Sequence, residues 1–330
     1  MTTKDRNGDQ YQQYLKEKHA SFGTKPEVIN EIFVNAFETK VDGVDRIVAG
    51  EVNEVYTVQT KDGNFILRIS REKKGKFLPE RWALDQSREA GVPVPTMLYV
   101  GETKDGSEML KVCIENKLPG EPLGEASTKE KLTEQEIKNI GFEEGEILAK
   151  IHSIRPVGFG KLKEGGVGEL NNWSDYVLKH YNRKDNTELV KFAEKIGISK
   201  DQIELAIATL KKYESVFEIT TPHLLHGDFG PKHFLIQGGH ITGVLDFENC
   251  LGGNPVYDFA WGRYFDHTTP KEGYLAHMNL PHDFELRINL YGLRLGLDMI
   301  WYYVVENHTT GMVHAKKKMV ENLKYFEDLA

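Results

Sequence analysis

The chain has 330 residues, of which 39% are hydrophobic and 28% are charged, and it contains two cysteines. This composition allows a sizeable core and excludes a disordered chain or a disulfide-stabilised scaffold. The formal net charge of -8 argues against nucleic acid or an anionic membrane as a partner. The apolar runs are shorter than the ~20 residues of a membrane-spanning helix, and the N-terminus is too polar for a signal peptide, so we expect a cytoplasmic location.

The first third of the sequence predicts two helices followed by a small antiparallel sheet. Apolar residues recur with helical spacing in Tyr11–Lys18 and Pro26–Phe37. Alternation with a period of two begins near Asp45, and the turn sequence Lys61-Asp62-Gly63 predicts a hairpin. The next predicted elements are a helix at Pro79–Glu89 and strands at Met97–Gly101 and Met109–Ile114.

The stretch Leu118–Pro122 contains two prolines and a glycine, and we expect no regular structure there. We therefore place a domain boundary at this stretch. It separates a small β-rich lobe with its N-terminal helices, in residues 1–117, from a larger helical lobe in residues 118–330.

Helical spacing dominates the second lobe. Thr133 and Glu136 form a capping-box pattern before an apolar helix face that ends at Pro156. Further helices are predicted at Trp173–His180, Leu189–Ile196, Lys200–Phe217, Phe284–Asn307 and Gly311–Leu329. The segment His223–Phe247 is predicted to be the one non-helical block of this lobe.

This non-helical block contains a candidate reaction site. A polar loop with Asp228 and His233 interrupts apolar flanks, and pairing of Phe234–Gln237 with Thr242–Leu245 would place the loop beside Asp246. Two carboxylates and an imidazole around one point can hold a divalent cation and accept a proton from a hydroxyl group. Phosphoryl transfer needs both of these abilities.

The same block carries a family resemblance. The catalytic and metal-binding segments of the aminoglycoside phosphotransferase and choline kinase group resemble HGDFGPKHFLI, which begins at His226, and GVLDFENCLGGNPVYDFAW, which begins at Gly243. The similarity extends from about Gly50 and looks greatest with hygromycin B phosphotransferases. It implies an α+β, bilobal protein kinase-like fold with a small antiparallel-sheet N-lobe and a larger, mainly helical C-lobe. It also implies Mg²⁺ as cofactor and ATP or GTP as phosphate donor.

The resemblance implies a role for each matching residue. Asp228 would orient the acceptor hydroxyl and take its proton, His226 would hold the loop, and Asp246 would bind magnesium. Arg68 would bind the nucleotide phosphates, with Glu80 as its ion-pair partner. Further nucleotide contacts would come from Gly50 and Asn53 in the phosphate-covering loop, and from Ile114, Glu115, Asn116 and Lys117 in the hinge.

Two of these positions depart from the family pattern. His233 replaces an asparagine that usually supplies an oxygen to a second metal ion, and it would either bind metal or only hold the loop. Arg68 replaces a lysine, although its planar guanidinium can bind two phosphate oxygens. An outward-facing residue on an edge strand is the alternative for Arg68, and Glu89 is the rival of Glu80. Asp258 is predicted to connect its helix to the catalytic loop.

The acceptor is inferred from charge and from aromatic residues near this loop. Residues 221–270 contain five acids and two bases, which favours a small cationic molecule and, above all, an aminoglycoside. The segment Phe142–Glu146 is interpreted as the solvated face of a helix. The candidate acceptor-binding residues are Glu248, Trp261, Tyr264 and Asp266.

Other functions remain open from the sequence. A kinase for a macrolide or for a small metabolite of the choline, homoserine or sugar type would use the same scaffold. A non-catalytic protein of this fold would bind nucleotide or drug without turnover. We expect a monomer or a weak homodimer, with a role in antibiotic resistance if the acceptor is an aminoglycoside.

Overall fold

The computed structural model describes residues 9–20, 22–48, 50, 52–71 and 77–329. Glu51, in the predicted phosphate-covering loop, lies outside these residues. The two predicted N-terminal helices are confirmed as α1, Asp9–Ala20, and α2, Pro26–Phe37. Pro26 occupies the first turn of α2, where a missing backbone N–H costs no hydrogen bond.

A five-stranded antiparallel sheet follows, in the order β1-β2-β3-β5-β4. The helix α3, Phe77–Glu89, lies between β3 and β4 in the chain. The predicted hairpin is confirmed, since Thr60 pairs with Gly63 across the turn. The strands are β1, Val41–Ile47; β2, Glu54–Thr60; β3, Gly63–Ser70; β4, Met97–Asp105; and β5, Glu108–Asn116.

The first strand begins at Val41, four residues before the predicted start at Asp45. The prediction was wrong here because β1 is an edge strand whose side chains are half-buried or exposed. An edge strand of this kind shows little of the apolar alternation by which a half-buried strand is recognised.

One face of the five-stranded sheet is covered by α2. Buried side chains of the helix, such as Ile29 and Phe33, pack against strand residues that include Leu67 and Ile69. Because side chains alternate along a strand, Arg68 lies on the opposite face of the sheet. It is 9% exposed, which excludes the alternative of an outward-facing residue.

The remaining chain is mainly helical, as predicted. Its capping box at Thr133 is confirmed. The helices are α4, Ala126–Lys129; α5, Glu134–Ser153; α6, Trp173–Val177; α7, Thr187–Lys195; α8, Lys200–Lys212; α9, Val256–Tyr264; α10, Lys271–Leu275; α11, Phe284–Val305; and α12, Thr309–Glu327. The predicted helix Lys200–Phe217 is in fact α8 followed by a separate 3₁₀ turn at Glu214–Phe217. None of the helices described is long and apolar enough to cross a membrane.

The prediction of a single non-helical block in this lobe was wrong. Short strands also occur at β7, Phe159–Lys163; β8, Val167–Leu170; and β12, Leu251–Gly253. The other strands are β9, His223–Leu225; β10, Phe234–Gln237; and β11, His240–Val244. The strands β7, β8 and β12 are short and rich in glycine, and the pairing of β12 with β7 and β9 joins segments far apart in sequence.

The stretch Leu118–Pro122 also contains regular structure, contrary to prediction. Glu121–Pro122 forms β6, which pairs with Leu235 and Ile236 of β10. Since β6 is the edge of its sheet, a proline is tolerated there. The boundary between the two lobes at this stretch stays a prediction.

Helix α1 contacts both parts of the molecule. Leu15 packs against Phe265, which follows α9, and the Tyr14 hydroxyl lies 3.5 Å from a Glu306 carboxylate oxygen. Near the C-terminal end of the helix, the His19 Nε2 atom donates to the backbone carbonyl of Gly50 across 2.9 Å. The helix therefore joins the C-terminal lobe to the connection between β1 and β2.

Helices α5 and α10 approach each other closely at Gly145. A Cβ atom at this position would lie 2.6 Å from the backbone nitrogen of Tyr274. We predict that Gly145→Ala lowers the free energy of unfolding by about 1–3 kcal/mol, because the added methyl group overpacks against backbone. Urea denaturation measures the change.

Gly141→Ala, one turn earlier on α5, is the matched control. Its Cβ would meet the ring of Pro270 at 3.1 Å, and the gain in helix propensity of roughly 0.5–1 kcal/mol offsets that contact. Equal destabilisation by both substitutions would contradict the predicted role of Gly145.

Candidate active site

The loop that contains Asp228 connects β9 to β10 and ends in a 3₁₀ turn, Pro231–His233. In the following hairpin Phe234 pairs with Val244, and the backbone N–H of Leu245 donates to the His233 carbonyl across 2.9 Å. This register places Asp246 beside the loop. The predicted convergence is confirmed, since one ligand atom each from Asp228, His233 and Asp246 lies within 4.8 Å of the others.

Asp258 connects its helix, α9, to this loop, as predicted. Its buried carboxylate accepts hydrogen bonds from the backbone N–H groups of His226, at 2.8 Å, and Gly227, at 2.9 Å. The ring of His152 on α5 donates to the same carboxylate across 3.0 Å. Asn254, four residues before Asp258, accepts from the backbone N–H of Val256 at the start of α9.

Gly227 and His226 fix the local path of the loop. Gly227 has a positive φ of 80°, and a Cβ there would lie 2.1 Å from the Asn249 carbonyl oxygen, so only glycine fits. The His226 Nδ1 atom accepts from the Asp228 backbone N–H, and its Nε2 atom donates to the Leu245 carbonyl. These two bonds specify the neutral tautomer protonated at Nε2, and they link the loop to the strand end that carries Asp246.

Three donors surround the Asp228 carboxylate, which is 8% exposed. The Trp261 indole N–H donates to Oδ1 across 2.6 Å. The Lys232 ammonium group donates to Oδ2 across 2.5 Å, and the His233 Nε2 atom lies 3.1 Å from the same oxygen. The carboxylate is therefore held in one orientation before any substrate arrives.

Asp246 and His233 complete the candidate metal site. Asp246 has a φ of 71°, a left-handed conformation that aspartate tolerates better than most residues. Its Oδ2 atom is 3.6 Å from the His233 Nδ1 atom, so the imidazole lies between the two carboxylates. Two hard carboxylates with one nitrogen fit a divalent cation such as Mg²⁺, although an all-oxygen set would fit it better.

Arg68 forms the opposite side of the site and confirms the predicted ion pair. Its NH1 atom donates to Glu80 across 2.7 Å and to Glu115 across 3.1 Å, while its NH2 atom lies 4.0 Å from a carboxylate oxygen of Asp246. Burial opposes the charge of Arg68, but attraction to these carboxylates outweighs it and raises the pKa of the guanidinium. Burial raises the pKa of Glu80, although attraction to Arg68 acts in the opposite direction.

Of the other predicted nucleotide residues, Glu115 contacts Arg68 directly and Asn53 is linked to it through Glu248. The amide group of Asn53 donates to Glu248 across 3.3 Å. Ile114, Glu115 and Asn116 are the last residues of β5, and Lys117 follows them; the Asn116 side chain accepts from the Thr96 backbone N–H at 2.6 Å. The hinge role of this segment stays a prediction.

The structure does not bring the four candidate acceptor residues together. Glu248 lies beside Asn53, with its carboxylate 4.0 Å from Arg68, and Trp261 contacts Asp228. The prediction for Tyr264 was wrong, because this residue is 2% exposed and faces the core. Asp266 is already paired with Lys318 of α12 at 2.5 Å, which argues against ligand binding.

The interpretation of Phe142–Glu146 as a solvated helix face was also wrong. Glu144 is 3% exposed and accepts from His267 across 2.6 Å. Glu143 accepts from the backbone N–H of Ile241, and Glu146 contacts His277 at 3.0 Å. Residues distant in sequence pack along this side of α5, and local periodicity carries no information about them.

Lys232 lies in the site although no motif of the sequence predicts a role for it. The signal available was its position, directly before His233 and four residues after Asp228.

Comparison with known proteins finds similarity to a family of phosphotransferases. A model of the phosphotransferase enzyme family matches residues 43–285. The hygromycin-B 4-O-kinase of Escherichia coli is 23% identical over 303 residues, which cover 86% of this chain and 82% of that protein. A probable ketoamine kinase of Staphylococcus aureus is 24% identical over 269 residues, with 76% and 84% covered.

The fold is also found in solved structures. A thermostable mutant of aminoglycoside phosphotransferase APH(4)-Ia, in a ternary complex with ADP and hygromycin B, matches with a TM-score of 0.71 and 19% identity. The match covers 90% of this chain and 98% of the other. The predicted bilobal protein kinase-like fold is thereby confirmed.

The buried His226 predicts a pH dependence of stability. Burial, aided by repulsion from His233, lowers the pKa of its imidazole from 6.5 to about 4. Between these values the unfolded chain binds a proton that the folded chain does not bind. The free energy of unfolding of the metal-free protein therefore falls as the pH falls through this window, by at most about 1.4 kcal/mol per pH unit from this group.

Urea denaturation of wild type and His226→Asn, from pH 7.5 to pH 4, measures this contribution. The variant should be less stable at pH 7.5 but lose less stability on acidification. His282→Asn, which removes an exposed histidine, should keep the wild-type slope. A slope in His226→Asn as steep as in wild type would contradict the assignment.

Proposed function

The chain belongs to the phosphotransferase enzyme family, and from this premise we propose that it transfers the terminal phosphate of a nucleoside triphosphate to a hydroxyl group of an aminoglycoside-type molecule. Hygromycin B is the leading candidate acceptor. The observation that carries the proposal is the convergence of Asp228, His233 and Asp246 opposite Arg68. This arrangement places a candidate base, a cation site and a phosphate-binding guanidinium around one point.

Each residue at this point has a proposed part. Asp228 orients the acceptor hydroxyl and takes its proton as the phosphate is transferred. Trp261 and His226 keep the Asp228 carboxylate and its backbone in place. Asp246 and His233 would hold Mg²⁺, which when bound neutralises negative charge on the nucleotide phosphates.

The donor nucleotide would lie between the sheet and the catalytic loop. Arg68 is held by Glu80 and Glu115 through NH1, so its NH2 atom is the one that faces Asp246 and the proposed phosphate site. Asn53 and Gly50 would cover the phosphates, and the end of β5 would contact the base. Relatives with bound ADP support a nucleotide donor.

The local acidic charge gives less support to a cationic acceptor than the sequence suggested. The acids of residues 221–270 have partners within the protein: Asp228 with Lys232, Asp246 with His233, Glu248 with Asn53, Asp258 with the loop backbone and Asp266 with Lys318. The aminoglycoside proposal therefore depends on similarity to the hygromycin-B 4-O-kinase. Comparable identity to a probable ketoamine kinase favours a ketoamine as the second candidate acceptor.

A panel of acceptors separates these candidates. Purified protein is incubated with ATP or GTP, Mg²⁺ and one acceptor: hygromycin B, a second aminoglycoside, a ketoamine, a macrolide, homoserine or choline. The proposal expects a product of hygromycin B heavier by one phosphate group. Phosphorylation of the ketoamine alone would establish the second candidate. Nucleotide binding without any product would contradict both and favour a non-catalytic binding protein.

Substitution of the two aspartates tests their roles. Asp228→Asn should reduce the transfer rate at least about 100-fold, because the amide cannot take the hydroxyl proton. Asp246→Asn should reduce it similarly; asparagine keeps the left-handed backbone accessible, so the loss would reflect the missing charge.

Asp62→Asn, in the exposed β2–β3 turn, is the control and should retain wild-type rates. Rates are measured from product mass with the preferred acceptor, and circular dichroism checks folding. Transfer above one tenth of wild type in a folded Asp228→Asn or Asp246→Asn protein would refute the assigned role.

Two substitutions of His233 separate metal binding from loop support. His233→Asn restores the residue typical of the family and supplies a hard amide oxygen, so transfer should stay within about tenfold of wild type. His233→Leu removes the ligand and should raise the Mg²⁺ concentration needed for half-maximal rate. An unchanged Mg²⁺ requirement in His233→Leu would show that His233 does not bind the metal.

A further inference from the structure

Lys232 is fixed at the catalytic carboxylate. The 3₁₀ turn Pro231–His233 presents its side chain toward Asp228, and the Nζ atom lies 2.5 Å from Oδ2. The ammonium group is 5.9 Å from the ring centroid of Phe265, within the range of a cation–π interaction. The side chain is 23% exposed, so part of it is open to solvent.

The backbone beneath this lysine is also fixed. Gly124, just after β6, packs against it so closely that a Cβ atom there would lie 3.1 Å from the Lys232 Cα atom. The edge of the β6–β10–β11 sheet and the Phe265 ring therefore restrict Lys232 on two sides.

Support of Asp228 does not require this lysine. Trp261 already donates to Oδ1, and His233 contacts Oδ2, so both oxygens of the carboxylate have other partners. A role limited to orienting Asp228 would duplicate these contacts.

The charges around the cleft indicate a different role. The NH1 atom of Arg68 donates to Glu80 and Glu115. These carboxylates neutralise much of the charge of Arg68 before a nucleotide binds. A triphosphate would add further negative charge beside Asp228 and Asp246. Lys232 places a further positive charge 2.5 Å from Oδ2 of Asp228, the carboxylate to which the proposed function assigns the acceptor hydroxyl.

We propose that Lys232 is a catalytic residue that neutralises the phosphoryl group during its transfer; this inference depends on the proposed phosphotransferase function. In that reaction the bond between the terminal phosphorus and the bridging oxygen breaks, and a bond to the acceptor oxygen forms. The acceptor proton goes to Asp228, and the nucleoside diphosphate leaves. Lys232 stays protonated throughout and donates hydrogen bonds to a non-bridging oxygen of the phosphoryl group.

The reason is electrostatic. Phosphoryl transfer develops charge on the non-bridging oxygens, and a donor that is already in place stabilises that charge without reorganisation. Lys232 also lies directly before His233, which replaces the asparagine that usually supplies an oxygen to a second metal ion. The lysine adds positive charge at the position where this metal ligand differs from the family pattern.

The decisive test compares affinities in Lys232→Met and wild type. Calorimetry in the presence of Mg²⁺ measures binding of ADP, of a non-hydrolysable ATP analogue, and of ADP with aluminium fluoride, which imitates the phosphoryl group in transfer. In Lys232→Met we expect ADP affinity within threefold of wild type. Affinity for ADP with aluminium fluoride should fall at least about 30-fold, and the transfer rate should fall about 100- to 1,000-fold.

Lys271→Met is the matched control. Lys271 also lies over an aromatic ring, Phe284, at 4.1 Å and pairs with a carboxylate, Glu285, at 3.5 Å, but it contacts none of the site residues described above. Its substitution should leave all three affinities and the rate unchanged. Lys232→Arg should recover part of the lost affinity for ADP with aluminium fluoride, because it restores the positive charge.

The outcomes that overturn the proposal are distinct. An equal loss of all three affinities in Lys232→Met would indicate a structural role, and unchanged affinity for ADP with aluminium fluoride would exclude contact with the phosphoryl group. If Lys232→Met does not fold, Lys232→Gln is measured in the same way. Failure of the wild type to phosphorylate any acceptor would instead refute the proposed function, while the binding series would still test Lys232.

Discussion

A buried carboxylate, that of Asp258, determines the conformation on which the rest of the site depends. Burial of a charge is costly unless hydrogen bonds compensate for the lost contact with water. Here two backbone N–H groups of the loop and the His152 ring donate hydrogen bonds to the carboxylate. The interaction connects α5, α9 and the loop, and it is compatible only with the sharp left-handed turn at Gly227. The position of Asp228 follows from that turn, and through the His226 ring the loop is connected to the strand end that bears Asp246.

The polar groups of the cleft are largely paired in the absence of ligands. Arg68 is held between Glu80 and Glu115, and Asp228 is surrounded by Trp261, Lys232 and His233. Such pairing orients each group in advance, so little side-chain freedom is lost when a nucleotide binds. It also explains why the acidic composition of this segment says little about the acceptor.

Local patterns predicted much of the fold and of the site. The β2–β3 hairpin, the capping box at Thr133 and the loop containing Asp228 could be found because turn and cap chemistry lies within a few residues. The strands β7, β8 and β12 could not, because long-range pairing stabilises them. The burial of Tyr264 and the role of Lys232 depend on what packs against α9 and the loop, and helical or strand periodicity does not contain that information.

Helix α1 adds a mechanical constraint to this fold. It lies before the segment matched by the family model, which begins at residue 43, and it contacts Phe265 through Leu15 and the Gly50 carbonyl through His19. Any rotation that separates the sheet from the helical region on this side must break one of those two contacts. Twelve residues that precede the matched segment thus restrain the movement of the sheet relative to the helices.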